Sequence, residues 1–187
     1  MHLLIENIPW AILFAFIFAV VAAVIFKIAA KPSKRKLIIF IIASFLAALY
    51  VCIACSVLFS VTKFGIYGDV EPYSGNYIPF KTIMEFAGSG SFGLFVTQIA
   101  GNILVIIPLP FVVWLYSRKR AMKRVCLVSL IITTAIEPMQ LLLNILIGGP
   151  TNIIDIDDLI LNLVGCALGL LLLKVVIQTA GRIKQIK

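Results

Sequence analysis

An all-α, polytopic membrane bundle is the fold class this sequence predicts, and three observations predict it. The chain of 187 residues is 62% hydrophobic and 13% charged, more apolar surface than a soluble domain of that size can cover. Its apolar residues fall in runs near the ~20 residues a helix needs to cross a bilayer. Its basic residues gather in the short segments between those runs, where they set topology. The expectation is about five transmembrane helices plus an outer amphipathic helix, interfacial or re-entrant, in a single membrane domain over residues 1–187.

The first span covers residues 9–30. It lacks a basic leader and is followed by K-P-S-K-R-K, so it reads as a retained helix rather than a signal peptide. The second, residues 37–61, contains Cys52 and Cys55 within an apolar run, where small side chains serve packing rather than redox or metal chemistry. Cys126 and Cys166 read the same way. In residues 62–96, Pro79 suits a helix start. Phe80, Ile83, Met84 and Ala87 then fall at helical spacing opposite Lys81, Thr82 and Glu85, the pattern of an interfacial amphipathic helix. A re-entrant segment needs a backbone buried by protein or wetted. The run G-S-G-S-F-G that follows reads as a hinge. The remaining spans cover residues 97–116, 125–147 and 158–178. There is no internal repeat of the kind transporters use.

Orientation follows from Lys and Arg. Segment 31–36, segment 117–124 and the C-terminal tail carry the basic clusters, and an odd number of spans places all three on one face. That face is cytoplasmic by the positive-inside rule, which puts the N-terminus outside. Of eight acidic residues, seven fall on the other face and Glu137 lies within a span. The net charge of +8 is therefore a topology signal. No basic stripe interleaved with aromatics is present for nucleic acid to follow. His2 is the single histidine, which argues against histidine-based catalysis or metal binding.

Polar residues inside spans are costly and usually face the bundle interior. Here they form stripes at helical spacing: Thr133, Glu137, Gln140 and Asn144 in the fourth span, Asp158, Asn162, Gly165 and Gly169 in the fifth, and Gln98, Gly101 and Asn102, sharing a face with Val105, in the third. At 1.5 Å per residue, Asn102 and Asn162 lie roughly 7 Å inside their outer ends and Glu137 roughly 15 Å inside. Pro138 frees a carbonyl next to Glu137, and Pro108 and Pro110 loosen the third span. The pattern describes a polar cavity opening outward, floored by Glu137 and rimmed by Asp155, Asp157 and Asp158. The alternatives are interhelical hydrogen bonding for Asn102, Asn162 and Gln140, packing for the two glycines, and capping of the fifth helix for one or two aspartates.

The order N-x-I-P-F, N-x-x-x-x-x-P, E-x-x-Q and D-I-D-D-x-x-x-N-x-x-G-x-x-x-G resembles the VanZ-like family. It runs through Asn76, Pro79 and Phe80; Asn102 and Pro108; Glu137 and Gln140; and Asp155, Asp157, Asp158, Asn162, Gly165 and Gly169, over residues 76–173. The chain departs from the family at Asn152, where relatives often have arginine, at Pro110 in place of a glycine, and at Ile106 in place of an aromatic residue. The resemblance implies a multi-pass protein of the bacterial plasma membrane. It also brings an association of the family's namesake with resistance to teicoplanin, a glycopeptide antibiotic bearing an acyl chain.

The leading functional expectation is a protein of cell-envelope protection and low-level glycopeptide resistance. It would engage an amphiphile, a lipoglycopeptide or a lipid-linked wall precursor, through Asn76, Asn102, Glu137, Gln140, Asp155, Asp157, Asp158 and Asn162, with membrane lipids as its surroundings. Two alternatives stand beside it. One is a membrane-embedded enzyme on a lipid-linked wall precursor, its aspartates holding a divalent cation. The other is a small ion-coupled transporter using Glu137 beside Pro138. No cofactor is specified, no metal site is assigned, and a homo-oligomer is left open.

Overall fold

The computed structural model describes residues 2–58, 75–88, 90, 93, 99–117, 121–147 and 154–186. The chain divides into two compact units, Met1–Thr62 and Lys63–Lys187.

The first unit is a helical hairpin. Helix α1 (His2–Ala30) pairs with α2 (Lys34–Leu58). The described part of α1 buries Ala15, Ala19 and Ala23, one face at four-residue spacing. Such small residues let helix backbones approach closely, the usual packing solution where lipid removes the hydrophobic drive between helices. Helix α2 buries Ser44, Ala47, Ala48, Ala54 and Leu58. Near the turn, Phe26 stacks on Phe40 with ring centroids 4.2 Å apart. Large apolar side chains such as Ile25 and Ile28 point outward.

The second unit carries the rest. A two-residue strand β1 (Gly75–Asn76) precedes α3 (Lys81–Gly88); α4 (Gly101–Ile106), α5 (Leu109–Tyr116) and α6 (Met122–Ile147) follow; a second short strand, β2 (Ile154–Asp155), leads into α7 (Ile156–Ile186). The strands pair in parallel, Gly75 with Ile154 and Asn76 with Asp155. Helix α7 packs against α4, α5 and α6 and touches α3.

Among the described residues, four helices are long and apolar enough to cross a membrane: 12–30 within α1, all of α2, all of α6, and 156–182 within α7. The expected third span is described as two short helices, α4 and α5. Pro108 and Pro110 cannot donate to the carbonyls of Leu104 and Ile106, so the α-helical ladder cannot run through. The break is gentle, because Ile107 and Pro108 keep right-handed helical dihedrals. Helix α3 lies where the amphipathic segment was expected, starting two residues after Pro79.

Helix α6 shows how the bundle is organised. Its buried side chains are Val125, Ser129, Thr133, Ile136, Glu137, Gln140 and Asn144, whereas Leu127, Ile131, Leu142, Ile145 and Leu146 are exposed. Polar residues inside and aliphatic ones outside invert the order of a water-soluble helix and suit a helix in lipid.

Candidate functional site

The three aspartates at the start of α7 hold three different partners. Asp155 caps its own helix, its Oδ1 accepting the Asp157 backbone N–H at 2.9 Å. The same oxygen accepts the Asn76 side-chain amide at 3.0 Å. Asn76 Nδ2 also donates to the Thr82 hydroxyl at 2.9 Å, and its Oδ1 accepts the Ile78 backbone N–H at 3.1 Å. One amide thus joins β1, the start of α3 and the N-cap of α7.

Asp157, fully buried, reaches sideways. Its two oxygens accept the backbone N–H groups of Phe80 and Ile83, orphan donors of the sort a helix N-terminus leaves. A carboxylate from α7 therefore caps α3. Phe80 is held at φ 65°, a left-handed conformation that disfavours an aromatic residue. Asp158 turns the other way and accepts the Asn102 amide of α4. Successive positions on a helix point apart, and this chain uses that divergence to tie β1, α3 and α4 to one helix mouth. Among the described residues, no group of three or more His, Cys, Asp or Glu side chains is placed to hold a metal ion.

Glu137 projects from α6 toward this mouth. It is buried, and Asp158 and Asp155 lie close enough to act on it electrostatically. The Asp155 backbone N–H faces it without closing a well-formed hydrogen bond: neither carboxyl oxygen has a partner among the described residues. Asn162 Oδ1, one turn into α7 from Asp158, is also buried and unpartnered there. Further along the same interface Thr133 faces Cys166. Along α7, Asn162 lies between Asp158, which acts electrostatically on Glu137, and Cys166, which faces Thr133. Gln140 and Asn144 are buried on the same face of α6.

Close packing of α4 and α5 on α7 depends on two glycines. A Cβ at Gly165 would strike the Ile103 carbonyl, whose carbon would lie 3.1 Å away. One at Gly169 would strike the Ile107 carbonyl and approach Pro110 Cδ to 3.1 Å. The proline break thus sits against the glycine face.

Of the eight residues expected from sequence to bind a ligand, Asn76, Asp155 and Asp157 hold structure together through hydrogen bonds to protein groups. Asn102 and Asp158 hold each other, and Glu137, Gln140 and Asn162 are buried. Sequence reasoning put Thr82, the partner of Asn76, on the polar face of the amphipathic helix but not in the site, and passed over Ser129, which extends the α6 stripe one turn; the four-residue spacing before Thr133 was the available signal. Gln98 and Asn152 lie outside the described residues, and the hinge at 88–93 is described only in part.

No curated protein and no solved structure matches the chain. A family profile described as VanZ/LLP1 matches residues 45–177, which takes in the second half of α2 as well as every residue of the polar cluster. With apolar helices able to cross a bilayer and a match over most of its length, the chain belongs to the VanZ/LLP1 family of membrane proteins.

Proposed function

We propose that this VanZ/LLP1-family protein is a non-enzymatic receptor for an amphiphile at the outer face of a bacterial plasma membrane. It would serve envelope protection and low-level resistance to glycopeptides of the teicoplanin kind. The positive-inside rule, applied to the basic segments, assigns α6's N-terminus and α7's C-terminus to the cytoplasm, which supports an outward-facing acidic mouth. The ligand's polar head meets Glu137, Gln140 and Asn162, beside the Asn102–Asp158 pair. Its acyl chain lies in lipid against α3, whose neighbourhood exposes Tyr77, Ile78, Phe80 and Met84.

The observation that carries this reading is the Glu137 carboxyl, without a partner among the described residues, beside two aspartates. A buried polar group without a partner is expensive, and its persistence suits a site completed by something from outside. Acceptors dominate here, so the complementary head group is rich in donors: an amine, or sugar and peptide hydroxyl and N–H groups. Support for binding rather than metal catalysis comes from the aspartates, each already engaged with a protein donor.

Calorimetry on the purified protein with teicoplanin, and separately with a lipid-linked wall precursor, tests the proposal. Binding should weaken by about 10- to 100-fold in Glu137→Gln, the equivalent of a lost hydrogen bond to a charged group. Folded protein that binds neither ligand, or binds equally well after the substitution, would sink it.

A further inference from the structure

We propose a second site, independent of the first, at the opposite end of the same unit: a groove between α5 and α6 that holds an anionic phospholipid by its phosphate. The groove is open to its surroundings, has a volume of ≈ 410 Å³ and is lined by Val112, Val113, Tyr116, Ser117, Arg124 and Val128. That volume falls within the roughly 300–1,000 Å³ range of small-ligand sites.

Its lining is graded as an amphiphile requires. Val112 and Val113 lie about one turn back from the end of α5, and Val128 lies one turn into α6 from Arg124. The valines therefore form the deep, apolar part. Tyr116, Ser117 and Arg124 stand together where α5 ends and α6 begins. The Ser117 hydroxyl is buried, with no hydrogen-bond partner among the described residues.

Charge selects the head group. Lys123 and Arg124 occupy the first turn of α6, and no acidic residue shares that turn. The positive end of a helix dipole disfavours cations, so basic residues here add like charge to like. No acidic residue occurs anywhere from 86 to 136, so the chain supplies no nearby counter-charge from that stretch. A phosphate would offset the excess: Arg124 presents a planar fork suited to phosphate oxygens, and the Ser117 hydroxyl supplies a further donor. The end of α5 and the start of α6 face the cytoplasm by the positive-inside rule, and that leaflet holds the anionic lipids.

The test is native mass spectrometry of the full chain released from detergent, titrated with phosphatidylglycerol, phosphatidylcholine or glycerol phosphate. One phosphatidylglycerol should bind in preference to phosphatidylcholine, and glycerol phosphate should not compete at equal concentration. Arg124→Gln should weaken phosphatidylglycerol by about tenfold. The charge-matched Lys123→Gln, outside the lining, should change it far less. Val128→Trp and Val112→Phe fill the groove from its two walls without altering charge, and each should abolish the one-to-one adduct. Equal binding of the two lipids, equal losses in Arg124→Gln and Lys123→Gln, or retention of the adduct in both filled variants would overturn the site in favour of diffuse surface attraction. Effective competition by glycerol phosphate would overturn the lipid assignment.

Discussion

The Asp157 carboxylate accepts the backbone N–H of Ile83 at 3.1 Å, across 74 residues of chain. Through this bond and its companion to Phe80, the first turn of α7 supplies the cap that α3 lacks in its own sequence. Helix α3 has eight residues and buries none of them fully. A helix that short is marginal alone, so its position depends on what ties it down.

Asp157→Ala should therefore loosen α3 before it affects the rest of the unit. Two partly buried donors lose a charged acceptor, worth about 2–3 kcal/mol in all. Hydrogen exchange at the Phe80 and Ile83 amides should accelerate roughly 30- to 150-fold. Asp157→Asn keeps one acceptor oxygen and should give a smaller effect. Unchanged protection at both amides in the alanine variant would show that α3 is held by something else.

Gly165 and Gly169 should tolerate nothing larger, whereas Gly181 should. An added methyl at either of the first two meets α4 or the proline break, and overpacking of this kind costs about 1–3 kcal/mol. At Gly181 an added Cβ meets nothing within 4 Å, so alanine there should be neutral or stabilising by up to about 1 kcal/mol. Thermal unfolding of the three alanine variants in one detergent gives the comparison. A Gly165→Ala or Gly169→Ala protein as stable as Gly181→Ala would contradict the close approach.

The stripes through Glu137 and Asn162 were legible in the sequence because lipid penalises polar groups and leaves the bundle interior as their only place. The proline break was legible as a loosening, since a missing N–H is a local fact. What the aspartates do was not. Capping accounts for one or two of them from the sequence alone, with Asp155 and Asp157 both eligible, but the donors met by Asp157 and Asp158 lie on α3 and α4, 74 and 56 residues away, and only tertiary structure sets those distances. The parallel pairing of Gly75–Asn76 with Ile154–Asp155 escaped for the same reason, two residues being too few for a strand pattern to register.

Asn102 and Asp158 should be coupled strongly enough to measure. A double-mutant cycle with Asn102→Ala and Asp158→Ala should return an interaction of about 1.5–3 kcal/mol, typical of a hydrogen bond to a charged group. Asn102→Asp should be worse than alanine, because it removes the donor and sets a second carboxylate against the first. Additive single-site effects in chemical denaturation would argue that the two side chains do not act as a pair.

Glu137 should behave as a residue kept for binding at the expense of stability. Both of its oxygens are buried without a partner among the described residues, and such a group costs about 1–3 kcal/mol relative to an apolar side chain of similar shape. Glu137→Leu should accordingly raise the melting temperature of the purified protein while abolishing teicoplanin binding. Glu137→Gln should raise it less and weaken binding. A structural carboxyl would show the reverse: a lower melting temperature in Glu137→Leu, together with faster exchange at the start of α7, where Asp155 and Asp158 flank the same cluster. Stability and binding moving in opposite directions across the two variants is the outcome a binding site requires and a packing role does not produce.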